Sequence, residues 1–239
     1  MSEGPNFPPL LTGEELTGTS DPFVKACTEA TLGCDAGLVL YNLHPDRLET
    51  AIVLAPETPL EQAMAAFCAV GVGLQNALGA LAPPEVAVHL DWSGTILVNG
   101  AACGQLSVAA STSEPGEAPD WLVVGLTLPL IPPSEDAPGD TPDQTALFLE
   151  GCADVDPVAL LEAWSRHTLV WLTQLDDEKG RETLHREWRG LAWNMGEDVT
   201  LKTGETGTFL GVDENFGMLL RGADGQTQLI PLSERLKRN

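Results

Sequence analysis

Apolar residues recur at spacings of four and three along Leu60, Met64, Phe67, Gly71, Leu74, Leu78 and Leu81. That period predicts the best-marked helix in the chain. Thr58 stands where an N-cap belongs, with Glu61 three residues on, so Thr58-Pro59-Leu60-Glu61 reads as a capping box. Glu61, Gln62, Gln75 and Asn76 interrupt the stretch, which predicts a core helix and not a membrane span. Asp21-Pro22 reads as an N-cap followed by proline in the first helical position, with Phe23, Cys27 and Ala30 on one face and Gly33 as the stop. Asp156-Pro157 opens a further helix in the same way, with Leu161, Trp164, Thr168, Trp171, Leu172 and Leu175 as its buried stripe. A shorter helix is expected over residues 181–193.

Between these helices the pattern shortens to strands. Residues 37–43 (GLVLYNL) and 48–55 (LETAIVLA) flank the turn His44-Pro45-Asp46-Arg47. Strands are also expected at 86–92, at 96–110 with an Asn99-Gly100 turn, and at 121–131. The first 19 residues, rich in Pro, Gly and Thr, are expected to lie extended over the surface, and residues 132–144 form an acidic, proline-rich loop. From about Gly196 the texture changes to VTLKTG, GTFLGV, GMLLRG and TQLIPL, short strands between glycine turns that suggest a miniature β-barrel. The chain thus divides into a main domain, residues 1–195, and a small C-terminal unit, residues 196–239.

Composition narrows the function. The chain has 239 residues, 43% hydrophobic and 20% charged, which suits a packed core. A net charge of −23 repels phosphate backbones and anionic lipid heads, so nucleic acid and membrane are not expected partners. Five cysteines without a CxxC pair argue against a disulfide framework or a structural zinc site, and Met-Ser-Glu-Gly-Pro does not open a signal peptide. A cytoplasmic location is the expectation. Residues 48–165 contain neither lysine nor arginine yet carry sixteen acids. Phosphoryl and adenylyl chemistry needs positive charge at the reacting group, so such charge would have to come from outside this segment or from a bound metal.

Several candidate sites have plainer readings. Gly71-Val72-Gly73 lies mid-helix with Asn76 where a dinucleotide fingerprint needs its third glycine, which favours close helix packing. The four histidines are scattered; only His89, on a strand beside Asp91 and Trp92, could face a pocket, and a structural role is favoured even there. Glu135, Asp136, Asp140 and Asp143 lack the order of a calcium loop. Trp164, Trp171, Trp188 and Trp193 read as core and junction anchors.

The order of elements, together with three motifs, resembles the biotin–protein ligases of the biotin/lipoate ligase superfamily, without the N-terminal DNA-binding domain of some members. Gly207-Thr208-Phe209-Leu210-Gly211-Val212-Asp213 followed by Gly217-Met218-Leu219-Leu220 is similar to the G-x-x-x-G-I-D-x-x-G-x-L-L of the family's small barrel. Val88-His89-Leu90-Asp91-Trp92 lines up with the strand leading into K-W-P-N-D. Cys103-Gly104 matches the glycine of K-x-x-G, and Gly125 the first glycine of G-x-G-x-N. The resemblance implies an α/β (α+β) fold: the mixed sheet with helices of class II aminoacyl-tRNA synthetases and biotin synthetases, followed by an SH3-like β-barrel.

The departures concern the chemistry. K-W-P-N-D becomes Asp91-Trp92-Ser93-Gly94-Thr95, the family lysine falls on Ala101, G-x-G-x-N becomes Gly125-Leu126-Thr127-Leu128-Pro129, and the G-R-G-R-R-G loop has no counterpart. In the family these residues hold ATP and the acyl-adenylate. Losing one such donor costs on the order of 3 kcal/mol in a transition state, so little adenylation is expected and no catalytic residue is assigned. The first reading is therefore a non-catalytic relative that binds a biotin- or lipoate-like carboxylate, a carrier domain or a partner. Its cleft would be lined by Trp92, Asn99, Gly104 and Gly125, with His89 and Asp91 nearby. The second is a ligase in which Arg47 or Lys25 replaces the missing loop, and the third an interaction protein, such as a homodimer joined through edge strands.

Overall fold

The computed structural model describes residues 4–132, 143–201 and 203–237. Its main sheet has seven strands: β1 (Thr12–Glu15), β2 (Leu38–Leu43), β3 (Arg47–Leu54), β4 (Val88–Leu90), β5 (Thr95–Val98), β6 (Ala101–Ala110) and β7 (Leu122–Pro129). They lie in the order β1-β2-β3-β7-β6-β5-β4. β1 pairs with β2 in parallel and every other pair is antiparallel, so the sheet is mixed. The helices are α1 (Pro22–Leu32), α2 (Leu60–Ala63), α3 (Ala65–Leu81), α4 (Pro157–Gln174) and α5 (Glu178–Leu191). A second, antiparallel sheet follows, with β8 (Asp198–Thr200), β9 (Thr206–Val212), β10 (Met218–Arg221) and β11 (Thr227–Ile230) in the order β11-β10-β9-β8.

The two Asp-Pro signals act as read. Asp21 Oδ1 accepts from the amides of Phe23 and Val24, and Asp156 Oδ1 accepts from Ala159, so each helix start has a side-chain acceptor. Gly33 ends α1 in the left-handed conformation, at φ 88°. Asn99 and Gly100 both have positive φ (51° and 91°), as the two-residue β5–β6 turn requires.

The long apolar helix is buried, and its origin differs from the expectation. It breaks at Met64 into α2 and α3, and the proposed capping box does not form: no side chain caps the start, and Pro59 holds the cap position. Instead the amides of Leu60 and Glu61 donate to the carbonyls of Glu117 and Pro115, so a distant loop meets the demand a capping side chain would have met. By length and composition the span Leu60–Leu81 could cross a membrane, but 72% of its apolar window is buried in the protein. α3 lies between the sheet and α4, touching β4, β6 and β7 on one side and α4 on the other. Gly73 makes that crossing tight, since a Cβ there would lie 2.4 Å from Thr168 Oγ1 and 2.9 Å from its amide nitrogen.

The N-terminal segment contributes more than surface cover. Thr12–Glu15 forms edge strand β1, which the sequence reading missed because TGEE has no buried face: all four residues are exposed and pairing is through the backbone. α1 packs on the face of the sheet opposite α3, over β2, β3 and β7, with a smaller core of Ala26, Ala30, Leu40, Ala51, Val53 and Val123. Of the acidic loop, residues 133–142, including Glu135, Asp136 and Asp140, lie outside the described residues, while the Asp143 carbonyl accepts from the Ala102 amide at 2.9 Å.

Candidate functional site

Strand register defines the face covered by α1. Leu40, Ala51, Gly125 and Ser107 stand opposite one another across β2, β3, β7 and β6. The next row runs Asn42, Glu49, Thr127, Gln105 and Thr95. The first row is mainly apolar; the second forms a polar shelf beyond the α1 core. Thr95 Oγ1 donates to Gln105 Oε1 at 3.3 Å, and Gln105 Nε2 donates to the carbonyls of Ser93 and Leu106. The alternation in Gly104-Gln105-Leu106-Ser107 carries this signal, because Gln105 and Ser107 are the positions turned away from the large core.

The six residues singled out from the sequence do not converge on one cleft. Trp92 is 1% exposed. Its indole Nε1 donates to the Phe216 carbonyl at 2.8 Å, and the Arg235 guanidinium lies 4.8 Å from its ring centroid. Both partners belong to the C-terminal unit, so Trp92 is a junction residue. Asp91 is occupied by its own turn, accepting from the Ser93 amide at 2.7 Å and from the Ser93 hydroxyl. His89 packs against Trp193 with ring centroids 5.2 Å apart, and its Nδ1 is buried without a partner among the described residues. Asn99, in the β5–β6 turn, accepts from the Ala87 amide and donates to Glu150 Oε2 at 2.8 Å.

Gly104 and Gly125 are both hemmed in. A Cβ on Gly104 would meet the Thr127 carbonyl at 2.7 Å. One on Gly125 would meet Phe23 Cδ2 at 2.6 Å, so the glycine is needed because the α1 phenyl ring sits directly on it. Cys103 is fully buried, and burial pushes its thiol up to about 12, far from a nucleophile's range. Among the described residues no three His, Cys, Asp or Glu side chains gather as a metal site requires.

Both cations that could stand in for the missing loop are paired with acids. Arg47 Nε lies 3.1 Å from Glu49 Oε1, and its Nη1 lies 3.3 Å from Asp46 Oδ1. The hydrogen bond to Glu49 raises the Arg47 pKa further. Lys25 pairs with Glu29 one turn along α1, and that hydrogen bond raises its pKa too. Ala101, at the position of the family lysine, opens β6 opposite Val98. The connection between β2 and β3 is only His44-Pro45-Asp46, closed by His44 N donating to the Arg47 carbonyl.

Two features at the chain's end were invisible in the sequence. The Lys237 amide donates to the Val108 carbonyl at 2.8 Å, and Leu236 bridges to Val108 in parallel, continuing the sheet edge beyond the end of β5. Leu236 packs into the large core, whereas the Lys237 ammonium lies 4.8 Å from the Phe23 ring centroid on the opposite face. Neither KRN nor its surroundings has a period to announce this, since backbone pairing fixes it.

Residues 7–190 match the biotin/lipoate A/B protein ligase family, and residues 195–237 match a domain of unknown function (DUF4444). No curated protein matches the chain significantly. Among solved structures, a biotin protein ligase-like protein of unknown function from Silicibacter sp. is 58% identical, covering 98% of this chain and 100% of that one, with a TM-score of 0.91. The biotin protein ligase of Aquifex aeolicus is 18% identical, covering 88% and 92%, with a TM-score of 0.70. That of Leishmania major, in complex with biotin, is 15% identical, covering 93% and 98%, with a TM-score of 0.57.

Proposed function

This chain belongs to the biotin/lipoate A/B protein ligase family, and we infer that it is a member without adenylating activity that works by non-covalent binding of a small carboxylate or a carrier protein. One observation carries the reading: Arg47 and Lys25, the two cations that the sequence offers as replacements for the missing phosphate-binding loop, are already paired with carboxylates. Arg47 is held by Asp46 and Glu49, Lys25 by Glu29, and Arg235 is stacked on the buried Trp92. Freeing Arg47 for a triphosphate would leave Asp46 unpaired, and Glu49 with only His44 at 3.6 Å, beside an incoming polyanion, which adds repulsion where attraction is needed. The rewired-ligase reading requires Arg47 or Lys25 to be available, and no observation favours it. A carrier protein remains a fitting partner because the fold is that of ligases.

Pyrophosphate exchange into ATP tests the reading. With biotin, lipoate or octanoate present, the purified chain is expected to show exchange no faster than a heat-inactivated control. Acid-dependent exchange well above that background would overturn it.

A further inference from the structure

The main domain and the C-terminal unit leave a cavity of about 90 Å³ at their seam. Glu61 and Pro115 bound it on one side, and Asp213, Asn215, Leu229 and Leu232 on the other. Each wall is fixed by its own bonds. The Glu61 amide donates to the Pro115 carbonyl at 3.1 Å, which ties the start of α2 to the β6–β7 connection. Across the cavity, Asp213 Oδ1 accepts from the amides of Asn215 and Gly217 at 3.0 and 2.7 Å, closing the β9–β10 turn. His185 Nε2, on α5, lies 2.9 Å from the Asp213 carbonyl and holds that turn against the main domain. Gly217 completes the wall, since a Cβ there would lie 2.8 Å from Leu229 Cδ1 and 3.1 Å from Asp213 Oδ1.

The lining separates by chemistry. Pro115, Leu229 and Leu232 supply apolar surface, and Leu229, 47% exposed, reaches the mouth. Glu61 and Asp213 place one carboxylate on each wall, and among the described residues neither enters an ion pair. None of the lining residues is a lysine or arginine. Arg181 reaches from α5 towards α2, where it donates to Gln62 Oε1 at 3.1 Å. Carboxylates on opposite walls of a narrow space select a ligand that is cationic and donates in more than one direction. A guanidinium does both: it is planar, charged at every working pH, and its N–H donors point outward along several edges. It is also more weakly hydrated than an ammonium, so it enters a partly apolar space at lower cost. At ~30 Å³ for each water-sized group, the cavity suits this small planar head with a stem leaving along Leu229. The field of a chain with net charge −23 draws such cations to the surface.

We propose that the cavity between the main domain and the C-terminal unit binds an alkylguanidinium group, with Glu61 and Asp213 as its two carboxylate partners and the alkyl stem lying over Leu229. The site goes beyond the non-adenylating reading, since neither Gly125 nor any residue of the polar shelf lines it. A ligand held by both walls also fastens the two units to each other.

The test is calorimetric titration of the full chain, at fixed ionic strength, with ethylguanidinium and with N-ethylurea, a neutral molecule of nearly the same shape. The wild type is expected to bind the cation at least about tenfold more tightly, a difference of roughly 1.4 kcal/mol. Glu61→Gln and Asp213→Asn should each lose most of that preference. The asparagine keeps an oxygen for the Asn215 and Gly217 amides, so the turn survives the change. Glu182→Gln removes the same charge from an exposed position of α5 outside the cavity and should leave binding unaltered. N-acetylarginine methylamide, paired with its citrulline counterpart, distinguishes the sources of the group. A matching preference there assigns the cavity to arginine side chains, and one confined to ethylguanidinium assigns it to a free small molecule. Either supports the site. Absence of any preference for cation over neutral counterpart in both pairs would overturn it, as would a loss in Glu182→Gln equal to that of the cavity variants. Pyrophosphate exchange is read separately, so this site and the non-adenylating reading can fail independently.

Discussion

Gly73→Ala is expected to lower the thermal unfolding midpoint by several degrees, although alanine is the better helix former. In an exposed helix interior the exchange would stabilise by roughly 0.5–1 kcal/mol. At Gly73 the new methyl would lie 2.4 Å from Thr168 Oγ1, 2.9 Å from its amide nitrogen and 3.0 Å from its Cα. The hydroxyl could rotate away, but the backbone of α4 could not move without disturbing Trp164 and Leu161, which are fully buried beside it. Overpacking of this kind costs about 1–3 kcal/mol or more, which exceeds the propensity gain. In a chain of this size each kcal/mol shifts the midpoint by about 2–4 °C. Gly79, on the same helix, provides the internal contrast: a Cβ there meets only Gln75 Nε2 at 3.8 Å, so Gly79→Ala should stabilise. Circular dichroism melts of both variants decide the matter, and a Gly73→Ala midpoint at or above the wild type would show that the α3–α4 crossing is looser than described.

Trp92→Ala should be the most damaging single side-chain truncation. It empties a seat that is 1% exposed, strips the Phe216 carbonyl of its donor and leaves the Arg235 guanidinium without its aromatic platform. Deleting a buried tryptophan costs about 3–5 kcal/mol, and the orphaned carbonyl adds about 1–3. Trp92→Phe keeps most of the apolar contact and should cost markedly less. Urea unfolding followed by circular dichroism measures both. Because Trp92 joins the main sheet to the C-terminal unit, Trp92→Ala should also speed proteolytic cleavage in the Met195–Glu197 turn. Equal losses for the two variants would mean that the hydrogen bond, and not the packing, holds the junction.

The legible parts of the sequence were those whose causes are local. Asp21-Pro22, Asp156-Pro157, Gly33 and Asn99-Gly100 each determine their own backbone within three or four residues, and each is found as read. Gly71 and Gly73 read as packing glycines because nothing around them resembles a strand-to-helix turn, and a Cβ at either would press on Leu90, Leu106 or Thr168. The failures have tertiary causes. Thr58 and Glu61 look like a capping box, yet the carbonyls of Pro115 and Glu117 reach the helix start first. β1 and the Leu236–Val108 bridge depend on backbone pairing, which leaves no side-chain period to detect. Among the candidate residues, the family motifs pick out Gly125 and Trp92 but cannot reveal that Phe23 and Arg235 pack on them, because each packing residue is about a hundred or more positions away.

Strand β1 ends the order of the large sheet, so among the described residues no further strand pairs with the outer side of Thr12–Glu15. An open rim of that sort invites a second chain to dock by main-chain pairing, and Glu14 and Glu15 oppose it. Two molecules meeting there would crowd four like charges along a few ångströms of contact. Self-association by this route therefore needs high ionic strength or acid to proceed, which gives the molecule a built-in protection against fibre-like stacking.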